Sequence, residues 1–304
     1  MRILITGPSG AVGHALARAL AGRHELRGLA RDPARVAGDL PLELVRGDAL
    51  SGAGLARALD GVEVAYYLIH SMEPALADSF AQRDRAAAQR FAAAAARAGV
   101  RRIVYLGGLR QSVGRASEHL ASRGEVEQIL LAAVPDSVAL RASLVIGARS
   151  RSFRAVVRLL ERLPVIPLPP WRRNRTQPID ERDAVSYLAA AAEAAGVGGR
   201  AFDIAGPDLV SYGEMIERIA ALLLLRRALL PMPFALTRVS GAFAARVSGV
   251  EHELLGPLMG SLGTDLVADD APARAAFAVR LHSFDAAVEH ALREWEEIEP
   301  LGGR

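Results

Sequence analysis

The chain contains no cysteine and no lysine. The first absence excludes disulfides, thiolate catalysis and cysteine-based zinc sites, and it is compatible with a reducing compartment. The second removes Schiff-base chemistry and any lysine that would orient a ribose or depress the pKa of a tyrosine. All 37 basic residues are therefore arginine, set against 34 acidic ones for a formal net charge of +3. So even a balance offers no extended basic footprint, and no nucleic-acid partner is expected. Long apolar runs are missing too. The richest, Leu222-Leu223-Leu224-Leu225, is interrupted by Arg226-Arg227 and followed by Pro231 and Pro233. It is too short to span a bilayer, so no transmembrane segment is expected. The first residues lack a leader pattern, since a strand pattern begins at once, and a cytoplasmic location is the expectation. The histidines show no paired spacing that would make a metal site. With 304 residues and no internal repeat, the chain can bury a core as one large or two modest domains.

What is present is concentrated at the front. Arg2-Ile3-Leu4-Ile5 reads as a buried strand, Thr6-Gly7-Pro8-Ser9-Gly10-Ala11-Val12-Gly13 as a glycine-rich turn, and Ala15 to Leu20 as a helix. The unpaired N–H groups and positive dipole end of that helix make the turn a place for a pyrophosphate. Gly7 permits the tight turn, Gly10 lets a phosphate approach the backbone, and Gly13 lets the helix lie close to the strand. Candidate cofactor contacts are thus Thr6, Gly7, Ser9, Gly10, Ala11, Val12 and Gly13. A glycine turn alone says little, but this one joins a strand to a helix and a second strand pattern follows over 25–30.

Strand patterns at 25–30, 42–46, 62–69, 102–106 and 137–146 alternate with helical ones, which predicts a doubly wound parallel sheet of α/β class. In such a sheet, ligands bind beyond the carboxyl ends of the strands. The second strand ends at Arg31-Asp32-Pro33, where Arg31 suits a ribose 2′-phosphate and favours NADP(H) over NAD(H), while Asp32 suits either a ribose hydroxyl or a cap for the turn. Asp48 is read as an adenine-edge contact or as a turn cap. Leu68, Ile69 and His70 end the fourth strand, and Gly107 the fifth, all on the cofactor side. Beyond residue 147, helices are predicted over 152–163, 181–194 and 211–224, with a rigid proline-rich loop over 163–171. That loop is either a wall of a substrate pocket or a surface connection. The cluster Arg172-Arg173-Asn174-Arg175 is either solvated charge or a contact for an anion.

The order of the glycine turn, Tyr66-Tyr67-Leu68-Ile69-His70-Ser71-Met72, Tyr105-Leu106-Gly107-Gly108-Leu109 and Leu140-Arg141-Ala142-Ser143-Leu144-Val145-Ile146-Gly147 resembles atypical short-chain dehydrogenases/reductases. Within them it is most similar to the NmrA-like NAD(P)-binding proteins, which also resemble the nucleotide-binding accessory subunit of respiratory complex I. Similarity continues through Thr176-Gln177-Pro178-Ile179 and Asp183. The resemblance implies a Rossmann domain over 1–150 with a return segment near 176–205, and a smaller, mostly helical substrate-binding region over 151–304. It also implies a proton donor formed by tyrosine and lysine with a nearby serine. The chain departs here, because lysine is absent and Gly107-Gly108 stands where that serine is usual. His119 and Arg123, one turn apart on a helix, are the nearest substitute; the competing reading is a purely structural helix face. His70 is the rival acid.

The expected activity is hydride transfer between NADP(H) and a small apolar carbonyl, quinone or enone, by a monomer or homodimer acting on a small-molecule substrate. The alternatives are a catalytically silent dinucleotide sensor or assembly protein, and a redox-neutral epimerase, cyclase or dehydratase with bound dinucleotide. Gly10→Asp places bulk and negative charge against the pyrophosphate and is expected to abolish dinucleotide binding; unchanged affinity in a calorimetric titration would sink the reading.

Overall fold

The computed structural model describes residues 1–36, 38–69, 80–110, 118–232 and 262–299. In its first half, strands and helices alternate: β1 (Arg2–Thr6), α1 (Ala11–Leu20), β2 (Glu25–Ala30), β3 (Glu43–Arg46), α2 (Leu55–Leu59), β4 (Val64–Tyr67), α3 (Phe80–Arg97), β5 (Arg102–Gly108), α4 (Glu118–Ala133) and β6 (Val138–Ala142). The second half adds β7 (Val145–Ile146), α5 (Arg151–Arg162), β8 (Val165–Leu168), β9 (Arg175–Thr176), β10 (Ile179–Asp180), α6 (Glu181–Glu193), β11 (Arg200–Asp203), β12 (Val210–Ser211), α7 (Tyr212–Leu222), β13 (Ala228–Pro231), α8 (Ala271–Ala276) and α9 (Phe284–Ile298).

The main sheet has seven strands in the order β11-β6-β5-β4-β1-β2-β3, and every pairing in it is parallel. Period-two alternation decides which side chains face which helices. Ile3, Ile5, Tyr66 and Val104 join the core under α1 and α6, whereas Leu4, Tyr67, Ile103 and Tyr105 join the one under α2, α3 and α4. Strand order reverses between β1 and β4, so a crevice opens beyond their carboxyl ends. A third core unites α5, α7 and α9 around Trp295 and Phe153. Among the described residues no helix is long and apolar enough to cross a membrane.

Two sequence expectations change. The strand predicted over 137–146 is two strands, because Ser143 donates its hydroxyl to the Gln177 carbonyl at 2.8 Å and the chain then leaves the main sheet to pair β7 with β10. The loop predicted over 163–171 contains strand β8, which runs parallel to β13. Prolines are tolerated in it because Pro164 and Leu168 turn their carbonyls toward β13, accepting from Ala228 and Met232, so the intervening Pro167 nitrogen points to the free edge.

At the opposite end of the sheet from the crevice, Arg102 is 2 % exposed. It forks onto Asp136 at 2.7–2.9 Å and donates to the Ala191 carbonyl at 2.6 Å. This ties β5 to the β6 entry and to α6. The hydrogen bond from Arg102, with the charges of Arg102 and Arg101, holds the Asp136 carboxyl below its usual range. Asp136 therefore stabilises the fold above the ordinary carboxylate pKa and loses that contribution as pH falls through its own lower value. Asp136→Ala leaves the Arg102 charge buried without its partner and is expected to cost about 3 kcal/mol in chemical denaturation; a cost below about 0.5 kcal/mol, typical of an exposed pair, would show that Arg102 is solvated.

Candidate functional site

The crevice is held by one short polar contact. Thr6, fully buried at the end of β1, accepts the Leu68 N–H on its hydroxyl at 3.0 Å, which sets the end of β4 beside the glycine turn. Gly7 then turns the chain with φ +68°, and a Cβ there would lie 3.0 Å from the Ile69 side chain. A Cβ on Gly13 would stand 2.3 Å from the Gly7 carbonyl oxygen, and one on Gly10 3.3 Å from it. Helix α1 starts at Gly10 with no side-chain cap and no acidic residue in its first turn. A cradle that side chains would fill, open to an uncapped helix N-terminus, fits the diphosphate of a dinucleotide. Ser9 and Gly10 are exposed there, with Ala11 and Val12 half-buried beside them.

Beyond the ends of β2 and β3 the two carboxylates are engaged by the backbone. Asp32 accepts the Ala34 N–H at 3.2 Å and caps a short 3-10 turn. Asp48 accepts from the N–H groups of Leu50 and Ser51 at 3.0 and 3.3 Å. Both therefore have the capping geometry that was one of their two readings, while Arg31 stands exposed at the end of β2.

The proposed proton-transfer residues are placed unequally. His70 lies outside the described residues, as does the His119 side chain. The backbone sets His119 in the first turn of α4, and the neighbouring Leu120 side chain would touch a Cβ on Gly108 at 3.0 Å. The first turn of α4 thus lies against the carboxyl end of β5. Arg123 is 6 % exposed, and the Tyr105 hydroxyl donates to its backbone carbonyl at 3.4 Å. Burial pushes the Tyr105 hydroxyl up, and the Arg123 guanidinium acts against that. Nearby, Ser122 reaches the buried Asp84 carboxylate at 3.4 Å. The Tyr105 ring also explains Gly107, where a Cβ would sit 2.7 Å from it. No serine fits at that position.

Sequence reasoning missed the charges behind this edge. Glu127, 2 % exposed, accepts from Arg141 at 2.6 and 2.7 Å and from Arg110 at 2.7 Å; Arg141 also reaches Asp203 at 3.3 Å. It also missed that the Arg149 charge acts both on His14 of α1 and on Glu181 of α6; only the position of His14 directly after the glycine turn signalled this. Asp180, Asp183 and His282 come together as well, but Arg182 forks onto Asp180 and His282 bonds Asp183 at 2.6 Å.

The sequence profile of the NAD(P)H-binding family matches residues 7–141. A (4-alkanoyl-5-oxo-2,5-dihydrofuran-3-yl)methyl phosphate reductase from Streptomyces griseus subsp. griseus is 30 % identical over 229 residues, covering 73 % of each chain. The chain belongs to the atypical, NmrA-like short-chain dehydrogenases/reductases. Solved structures of the superfamily share the fold: a short-chain dehydrogenase/reductase from Agrobacterium tumefaciens with bound NAD superposes with TM-score 0.72 at 19 % identity, over 98 % of both chains. The NAD-dependent NDP-hexosamine 5,6-dehydratase TunA does so with TM-score 0.74 at 19 % identity, over 100 % of both. The doubly wound sheet of this NAD(P)-binding chain carries its glycine turn at the end of β1.

Gly13→Ala forces α1 off the Gly7 carbonyl and is expected to destabilise the fold by about 2 kcal/mol, the usual scale of overpacking, and to weaken dinucleotide binding. Thermal melting and calorimetry together check this; a Gly13→Ala protein with unaltered melting and affinity would show that the helix does not need its close approach.

Proposed function

We propose that the chain is an NADP(H)-dependent oxidoreductase that reduces a small activated carbonyl, quinone or enone. The observation that carries this reading is its likeness to the Streptomyces griseus reductase, whose named substrate has a ring alkene conjugated to a lactone carbonyl and an alkanoyl group. The glycine cradle supports it from the structural side. When bound, the reduced nicotinamide supplies a hydride. The chain itself has to hold the dinucleotide, orient the acceptor and deliver a proton.

Thr6, Gly7, Ser9, Gly10, Ala11, Val12 and Gly13 hold the diphosphate, with Leu68, Ile69, His70 and Gly107 lining the nicotinamide side and Asp48 near the adenine. Arg31 receives the 2′-phosphate. Asp32 supports that preference, since its carboxylate is spent on the Ala34 N–H and is thereby drawn away from a ribose hydroxyl. His119 is the proton donor, because the first turn of α4 abuts the carboxyl end of β5; His70 is the second candidate. Arg123, whose guanidinium acts on the buried Tyr105 hydroxyl, is a positioning residue for α4. Residues 1–150, with the return segment at 176–205, carry the cofactor, and residues 151–304 shape the substrate side. The protein works in the cytoplasm as a monomer or homodimer.

Titration with NADPH and NADH is expected to show NADPH bound at least about tenfold more tightly, the scale of a charge-assisted hydrogen bond, with the difference lost in Arg31→Ala. Turnover of enones and quinones is expected to fall about 100-fold in His119→Ala with NADPH affinity retained. Tight binding without turnover by the intact protein would favour the silent sensor or the redox-neutral enzyme, for which the missing Tyr–Lys pair speaks.

A further inference from the structure

Beside the cofactor helix, the fold gathers titratable side chains from separate segments: His14 of α1, Arg149 of the turn between β7 and α5, Glu181 at the start of α6 and Glu294 of α9. Glu181 is 7 % exposed. Its carboxyl packs against Gly147, where a Cβ would be 2.7 Å from both Cδ and Oε1, and Oε1 has no hydrogen-bond partner. Arg149 buries its Nε, also without a partner. A glutamate and an arginine thus lie within charge reach of each other, each with an orphaned buried atom, and neither forms an ion pair among the described residues.

The charges around them explain the arrangement. Burial, then the like charges of Glu294 and Asp180, push the Glu181 carboxyl up to about 8, against the pull of Arg149. Asp180 itself is neutralised by the Arg182 fork. At neutral pH the Glu181 carboxyl is therefore protonated and leaves the Arg149 guanidinium unopposed. That charge is felt in the first turn of α1: burial lowers the His14 pKa first, and the Arg149 charge lowers it next. His14 closes this turn, donating its N–H to the Gly10 carbonyl at 2.9 Å. The cation thus adds to the positive end of the helix that faces the glycine cradle.

We propose that Arg149 is an anion-binding residue of the dinucleotide site, and that Glu181 governs its availability by being neutral or charged. This rests on the dinucleotide-binding reading above. With Glu181 neutral, the Arg149 guanidinium is directed to the diphosphate oxygens, a charge-assisted contact of the strong kind. With Glu181 ionised, the carboxylate satisfies Arg149 itself and adds negative charge beside the phosphates. Glu294 reinforces that repulsion, and His14, held neutral, does not offset it. Affinity for the dinucleotide therefore falls as pH rises through the Glu181 transition.

The test is calorimetric titration of the full chain with NADH, which has no phosphate titrating in the window, from about pH 6.5 to about 9.5. The intact protein is expected to lose about tenfold in affinity across a transition near 8. Glu181→Gln keeps the low-pH affinity throughout, and Arg149→Met binds about tenfold more weakly already at neutral pH, with no transition. A readout without ligand accompanies this. An acid whose pKa is raised on folding stabilises fully below its unfolded value and loses that contribution as pH rises through the folded value. Glu181→Gln is therefore expected to melt higher than the intact protein above the transition, with the gap closing toward acid. Arg149→Met binding like the intact protein at neutral pH, or parallel pH profiles for the intact protein and Glu181→Gln, overturns the inference while leaving the dinucleotide reading in place. No NADH or NADPH binding by the intact protein at any pH overturns both.

Discussion

The structure depends on how closely one helix approaches one turn. With no side chain at Gly13, the first turn of α1 rests on the Gly7 carbonyl, where a methyl group would intrude to 2.3 Å. That contact aligns the helix axis with the end of β1 and aims its N–H groups at the crevice. The hydrogen bond from Leu68 to Thr6 brings the end of β4 to the same place. From these two contacts the order of the sheet, the crevice at its switch point and the cofactor site follow together.

A second theme is the use of arginine as the sole long cation. Its guanidinium offers several donors in a planar fork, so it can satisfy backbone carbonyls and a carboxylate at once. Arg27, 9 % exposed, donates to the carbonyls of Arg57, Ala58 and Asp60 at the end of α2 while also bonding Glu43. Arg102 does the same between Asp136 and Ala191. Orphaned helix carbonyls are thereby closed from the neighbouring strands. Burying guanidinium groups this way costs desolvation, and at Arg27 and Arg102 the fold offsets it with several bonds each. Arg149 departs from that pattern, since its buried Nε has no hydrogen-bond partner.

The chemistry expected of the superfamily is displaced at the end of β5. The buried Tyr105 ring claims the space that a side chain at 107 would need, and its hydroxyl is engaged by Arg123. The nearest helix turn to that strand end is the first turn of α4, where Leu120 packs against Gly108.

The sequence by itself determined the α/β class, the parallel alternation and the position of the glycine turn, because these rest on short-range periodicity and on glycines a few residues apart. It also placed Asp32 and Asp48 correctly at strand ends, with both readings of each left open. Seeing that both have capping geometry needed the N–H groups of Ala34, Leu50 and Ser51 in space. The break after Ala142 and the strand inside the proline-rich segment were invisible, since each is made by a partner far along the chain: Gln177 for Ser143, and β13 for β8. The same holds for burial of charge. Arg123 looks on paper like a ligand-facing residue, and Glu181 like an ordinary first-turn acid, until tertiary packing turns one toward Tyr105 and seals the other against Gly147. Local pattern decides where elements form; only the packing of distant elements decides which side chains are left without water, and so which of them carry unusual charge.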